Sequence, residues 1–185
     1  MSTIRFPTVQ DLYEAFPTAA EDVGVPSSAA ESLSFLRSLV AKEAWKEATA
    51  FSAYLLPRRE AIWWGCESVR HIRPTRLPHE TAALDLAEAW VHEPEDGRRH
   101  EALDLALRSD PQSPTTWMLY GVGWSGGSVV QSQYGMVPPL PQQTARAVRA
   151  GMLIALAWVP KGELSRTAKP CFESAIKLAM GEQNS

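Results

Sequence analysis

The chain has 185 residues, 45% of them hydrophobic and 21% charged, with a formal net charge of −3. That length suits one domain with a real core, and the composition is that of a globular chain rather than a disordered or disulfide-stapled one. The slightly acidic balance argues against a nucleic-acid partner, which asks for a basic footprint, and the longest apolar run, Ala150 to Val159, is too short to insert across a membrane.

Taken from the N-terminus, Thr8 reads as the cap of a short helix that Pro17 stops at Phe16. Ser28, with Glu31 three residues on, is a capping-box signature, and Leu33, Leu36 and Val40 follow at helical spacing. Ala44, Ala48, Phe51 and Leu55 mark the next stripe, and Pro57 opens a helix bearing Ile62, Trp63, Cys66 and Val69. The linker from Arg73 to Pro78 breaks it, after which Ala83, Leu86, Ala87 and Trp90 define an apolar face. Pro94 can start a helix with Ala102, Leu105 and Ala106 inward, and Ser113 with Pro114 starts another, ending near Gly121 or Gly123.

Residues 124–141 have no helical period, and a loop of that length inside a compact domain is usually functional or disordered. Helix resumes after Pro141 with Ala145, Val148, Met152, Ala155 and Leu156 on one side. The last helix carries Phe172, Ala175, Ile176 and Ala179, with Pro170 either at its first position or at a kink.

These elements predict a single all-α domain over residues 1–185: short helices in 1–27, repeated helical hairpins in 28–123, a long Gly/Pro-rich loop in 124–141 and C-terminal helices in 142–180. The repeat is degenerate. Trp45–Ala48, Pro57 and Trp63-Trp64-Gly65 recur as His100–Ala102, Pro114 and Trp117–Gly121. The expected architecture is therefore a short solenoid-like stack of hairpins or an irregular bundle.

Charge is unevenly spread. Residues 1–110 carry 18 of the 21 acids, and none falls between Pro111 and Gly162. The acid-free stretch includes the 124–141 loop, which makes that loop a candidate contact surface. Trp124, Tyr134, Met136, Val137 and Leu140 would be its apolar anchors, as aromatic and Met residues often are at interfaces. Trp63 and Trp64 point about 100° apart on a helix, so one fills the core and the other a seam or a contact surface; Trp64 is taken as a further partner-binding candidate.

Several motifs suggest chemistry and fail on context. Gly121-x-Gly123-x-x-Gly126 matches a dinucleotide fingerprint, but no acid follows before Glu163. Gly123-Trp124-Ser125-Gly126-Gly127 matches a nucleophile elbow, but all four histidines precede Ser125, against the required order. Cys66, His71 and His79 have no zinc-type spacing. Arg70, His71, Arg73 and Arg76 read as complements to a helix C-terminus, with an anion site as the minority alternative. Glu60, Glu67, His71 and His79 are the least poor candidates for an enzyme, and they form no recognisable acid–base–nucleophile set. No catalytic residue, metal or cofactor is expected.

The segment Leu55-Leu56-Pro57-Arg58-Arg59-Glu60-Ala61-Ile62-Trp63-Trp64-Gly65-Cys66 resembles a small uncharacterised bacterial family encoded among type VI secretion genes, and Trp117 to Gly127 is similar to it too. The resemblance implies an accessory role near the secreted spike and its cargo, and brings no functional residues with it. The expectation is a non-enzymatic adaptor or co-chaperone for effector loading, with a secretion effector, spike or adaptor protein as partner. An immunity protein that blocks a toxin is one alternative, and an enzyme or small-molecule binder another. Met1–Pro7 has no apolar h-region, so no secretory signal is expected, and Cys66 and Cys171 are expected as reduced thiols in a cytoplasmic protein.

Overall fold

Proline and capping chemistry set the helix boundaries. In the computed structural model, which describes residues 4–130, 133 and 135–182, the helices are α1 Val9–Ala15, α2 Ala19–Val23, α3 Ser32–Ala41, α4 Trp45–Leu55, α5 Arg58–Ile72, α6 Pro78–His92, α7 Asp96–Leu107, α8 Pro114–Gly123, α9 Gln143–Ala157 and α10 Leu164–Ala179. A 3-10 turn, Lys161–Glu163, leads into α10. No strand occurs among the described residues, so the fold is all-α.

Thr8 caps α1 as a true capping box. Its hydroxyl accepts from Asp11 N at 3.1 Å, and the Asp11 carboxylate accepts from Thr8 N at 2.9 Å. Ser28 and Glu31 do not repeat that arrangement. Residues 28–31 instead lie antiparallel to 7–10: Val9 N donates to Ala30 O at 3.0 Å and Gln10 N to Ser28 O at 3.1 Å. That pairing holds the backbone extended, so α3 starts at Ser32, and Glu31 accepts from the Ser34 hydroxyl at 2.7 Å. Pro170 lies inside α10 on its exposed side rather than at its start.

The helices close as an irregular bundle around α5. A solenoid repeat touches only its neighbours in sequence, whereas α9 packs on α4, α5 and α8, and α10 packs on α3, α4 and α5. The two supposed repeat units also differ. α7 and α8 form a packed hairpin, while α4 and α5 share little contact because Leu56 and Pro57 are both extended between them. One hydrophobic cluster runs from Val9 to Ala175, with Phe51, Tyr54, Trp64 and Phe172 as its largest fully buried side chains.

Two polar and steric devices fix the packing. Tyr54 of α4 donates to Asp22 of α2 at 2.5 Å, and Arg146 of α9 pairs with the same carboxylate at 2.7 Å, tying three helices at one corner. Met118 of α8 threads between Gly65 of α5 and Gly151 of α9, where a Cβ on either glycine would overlap its sulfur or methyl. Small residues there let three helices approach closely. No helix of the described residues is long and apolar enough to cross a membrane.

Candidate functional site

The 124–142 connection between α8 and α9 begins on an aromatic ladder. Trp117, Tyr120 and Trp124 lie on one flank of α8, and the Tyr120 and Trp124 rings stack at 4.6 Å. Trp124 N–H caps the helix by donating to Tyr120 O at 2.9 Å. Trp124 is therefore half-buried, and its stacked ring fixes the direction in which the chain leaves α8.

Two arginines hold the root of the loop. Arg58, at the start of α5, donates to Ser125 O at 2.7 Å. Arg99 of α7 is 3% exposed, and its Nη1 donates to Gly123 O at 3.0 Å and Ser128 O at 2.9 Å. Its Nε pairs with Asp96 at 2.7 Å, and this hydrogen bond is the largest influence holding the Asp96 carboxyl below the usual aspartate range. Its Nη2 lies beside His100 Nε2 at 2.6 Å. The Gly123 carbonyl belongs to the last turn of α8, so the guanidinium complements a helix C-terminus while it anchors the loop.

Beyond its root the loop is closed by its own hydrogen bonds. Val129 N donates to Val137 O at 2.8 Å, and Val137 N donates to the Ser128 hydroxyl at 2.9 Å. At the far end Leu140 N donates to the Gln143 side chain, and Gln143 N donates back to Leu140 O at 3.1 Å. Between these points the loop presents apolar side chains to solvent. Val130, Met136, Val137 and Leu140 are four of the seven exposed large hydrophobics among the described residues, and Met136 is the most exposed at 72%.

The predicted anchors thus separate. Met136, Val137 and Leu140 come together on the exposed loop, and Trp124 stands at its root. Tyr134 lies outside the described residues. Trp64 is 0% exposed and donates its indole N–H to Cys171 O at 2.8 Å, so a core position replaces the expected contact role. Its neighbour Trp63 takes the seam, edge-on to His92 at 5.4 Å. Val130, Arg58 and Arg99 were not anticipated. The signal for Arg99 was weak: a basic pair, Arg98-Arg99, in a helix whose next neighbour leads into an acid-free loop.

The remaining candidates are occupied structurally. Gly121 and Gly123 are buried inside α8, and the Ser125 hydroxyl donates to Val122 O at 2.6 Å, so the fingerprint and the elbow are both part of a helix end. Arg70 pairs with Glu88 at 2.7 Å and Asp85 at 2.6 Å, while Arg76 donates to the Arg70 and Arg73 carbonyls at the end of α5. Arg73 pairs with Glu80 at 3.1 Å and covers the Trp158 ring at 4.0 Å. Arg76 thus makes the helix-end contact expected of that basic cluster, whereas Arg70 and Arg73 are taken up by carboxylates of α6.

Glu60, Glu67, His71 and His79 do not converge. Glu60 lines a cavity of about 440 Å³ with Arg59, Trp63 and His92, whereas Glu67 and His71 line a separate one with Ser68 and Cys171. The Arg59 guanidinium in the larger cavity is committed to Val91 O at 3.0 Å. The carboxyls that are perturbed all move down. Burial pushes Asp22 and Glu80 up, but in Asp22 the Arg146 and Tyr54 hydrogen bonds outweigh it, and in Glu80 the Leu77 N–H and the Arg73 charge do so. No group of three His, Cys, Asp or Glu among the described residues is placed to hold a metal.

Residues 35–179 match a family of unknown function, DUF6931, and the chain belongs to that family. No curated protein and no solved structure matches the chain.

Proposed function

We propose that this protein is a non-enzymatic interaction module that docks a protein partner through its 124–142 loop. The observation that carries the reading is the concentration of exposed apolar side chains, Val130, Met136, Val137 and Leu140, on a loop whose root is tied to α5 and α7 by Arg58 and Arg99. A tethered apolar surface loses less conformational entropy on docking than a free one. It is also the arrangement that aromatic-rich and Met-rich contact sites use. The separation of Glu60 from Glu67 and His71 supports a role without catalysis.

The resemblance of Leu55–Cys66 to a family encoded among type VI secretion genes supports a particular partner class: a secretion effector, spike or adaptor, with this chain as loading adaptor or co-chaperone. The cytoplasm is the setting this role requires. The test is affinity capture from the native cell followed by mass spectrometry, run with the wild type and with a Met136→Ser/Val137→Ser/Leu140→Ser variant. The expected result is a spike, adaptor or effector recovered by the wild type and lost by the variant, with unchanged helical circular dichroism. Equal recovery by both chains overturns the reading.

A further inference from the structure

We propose that the docking element within this loop is the segment Val137-Pro138-Pro139-Leu140-Pro141, presented as a preformed polyproline II ligand to an aromatic-lined groove on the partner. The inference rests on the docking reading above and specifies how the contact is made. Three of the five residues are proline, which fixes φ near −65°. Val137, Pro138 and Leu140 each precede a proline, which removes the helical region and leaves extended or polyproline II backbone. Residues 135–140 accordingly lie in no helix or turn.

The hydrogen-bond inventory selects among the ways an extended segment can dock. Adding a strand to a partner sheet needs free backbone N–H groups. Here the prolines have none, Val137 N is given to the Ser128 hydroxyl at 2.9 Å, and Leu140 N is given to the Gln143 side chain. No donor remains from Val137 to Pro141. Acceptors do remain: the carbonyls of Pro138 and Pro139 take no hydrogen bond among the described residues. Polyproline II recognition uses this combination, with prolines and an aliphatic residue seated between aromatic rings and the ligand carbonyls accepting from indole or phenol donors. The exposed Val137 and Leu140 flank the proline pair, and brackets at both ends, Val129–Val137 and Leu140–Gln143, hold it in place.

The experiment titrates a purified WW domain, a proline-ligand module with an aromatic groove, into the full chain by calorimetry. Saturable binding is expected, weakened about tenfold or more by Pro138→Ala/Pro139→Ala, which restores backbone freedom. Leu140→Ala, which keeps both bracket bonds, is expected to weaken it as well. No saturable binding by the wild type, or equal binding by the proline variant with its helical signal intact, overturns the inference. The native-cell capture separates the two readings. A partner lost by the triple serine variant but kept by the proline variant overturns the polyproline mode and leaves the docking loop standing. A partner kept by the triple serine variant overturns both.

Discussion

The guanidinium of Arg99 lies against Gly127, so that a Cβ at residue 127 would stand 2.6 Å from Arg99 Nη2. Gly127 also has φ +61°, a left-handed conformation that glycine adopts without strain. The loop therefore turns over a buried arginine at a position where backbone and space both call for glycine. Gly127→Ala is expected to destabilise by roughly 1–3 kcal/mol, read from urea midpoints. Arg99→Met should retain most of the helical signal, because the ion-pair partner it leaves behind, Asp96, is exposed to solvent and stays hydrated rather than buried unpaired. The same variant should be cleaved faster by chymotrypsin between residues 124 and 142, since Gly123 O and Ser128 O lose their donor. Wild-type cleavage rates in Arg99→Met would contradict the anchoring role.

Met118 offers a test of the close helix approach. A Cβ at Gly65 would overlap the flexible end of Met118, whereas a Cβ at Gly151 would also stand 2.8 Å from the Pro114 carbonyl oxygen, which is backbone. Both Gly→Ala variants are expected to lose about 1–3 kcal/mol through overpacking. In a Met118→Ala background the Gly65→Ala cost should largely vanish, with a coupling of about 1 kcal/mol or more, while Gly151→Ala stays costly. Additive costs for Gly65→Ala would show that Met118 is not the obstacle.

The Asp22–Tyr54 pair predicts opposite pH limbs. The net lowering of the Asp22 pKa contributes stability that is present above about pH 3.9, the unfolded value, and is lost as pH falls through the folded one. Burial, with the Asp22 hydrogen bond adding to it, pushes the Tyr54 phenol up to about 12. That contribution is complete below about pH 10 and lost as pH rises through the folded value. Asp22→Asn should cost about 1–3 kcal/mol at neutral pH and flatten the acid limb of stability, and Tyr54→Phe should flatten the alkaline limb. Denaturation midpoints between pH 3 and 12 measure both, and an unchanged acid limb in Asp22→Asn would count against the corner.

Both thiols should be silent in the native state. Burial pushes Cys66 well above the ordinary thiol range, with the Glu88 charge adding to it, and burial raises Cys171 as well. The thiolate is the reactive form, so labelling by a disulfide reagent at pH 8 should follow the rate of unfolding. Rapid labelling of either cysteine in the folded protein would contradict this.

The sequence by itself determined what local physics controls. Pro57 and Pro114 mark helix starts, because a missing N–H costs nothing at a helix N-terminus, and the apolar periods of α5 and α9 mark their buried faces. The loop itself was legible for the same reason, since Gly- and Pro-rich residues without a helical period form no helix, but its exposure was not, because an acid-free block suits a core as well as a contact surface. Tertiary structure decided the rest. Trp63 and Trp64 fit one helical pattern equally well, and only the Cys171 carbonyl and the surrounding core assign Trp64 inward. Ser28 and Glu31 have capping chemistry, but pairing with residues 7–10 overrides it. Solenoid and bundle share the same helices and differ only in whether α9 and α10 fold back onto α4 and α5. Arg99 reads as one surface base among several, and its role exists only because α7 and α8 pack as a hairpin and bring two loop-root carbonyls to its guanidinium. Contacts between residues distant in sequence carry no local period or spacing, so these choices appear only once the chain has packed.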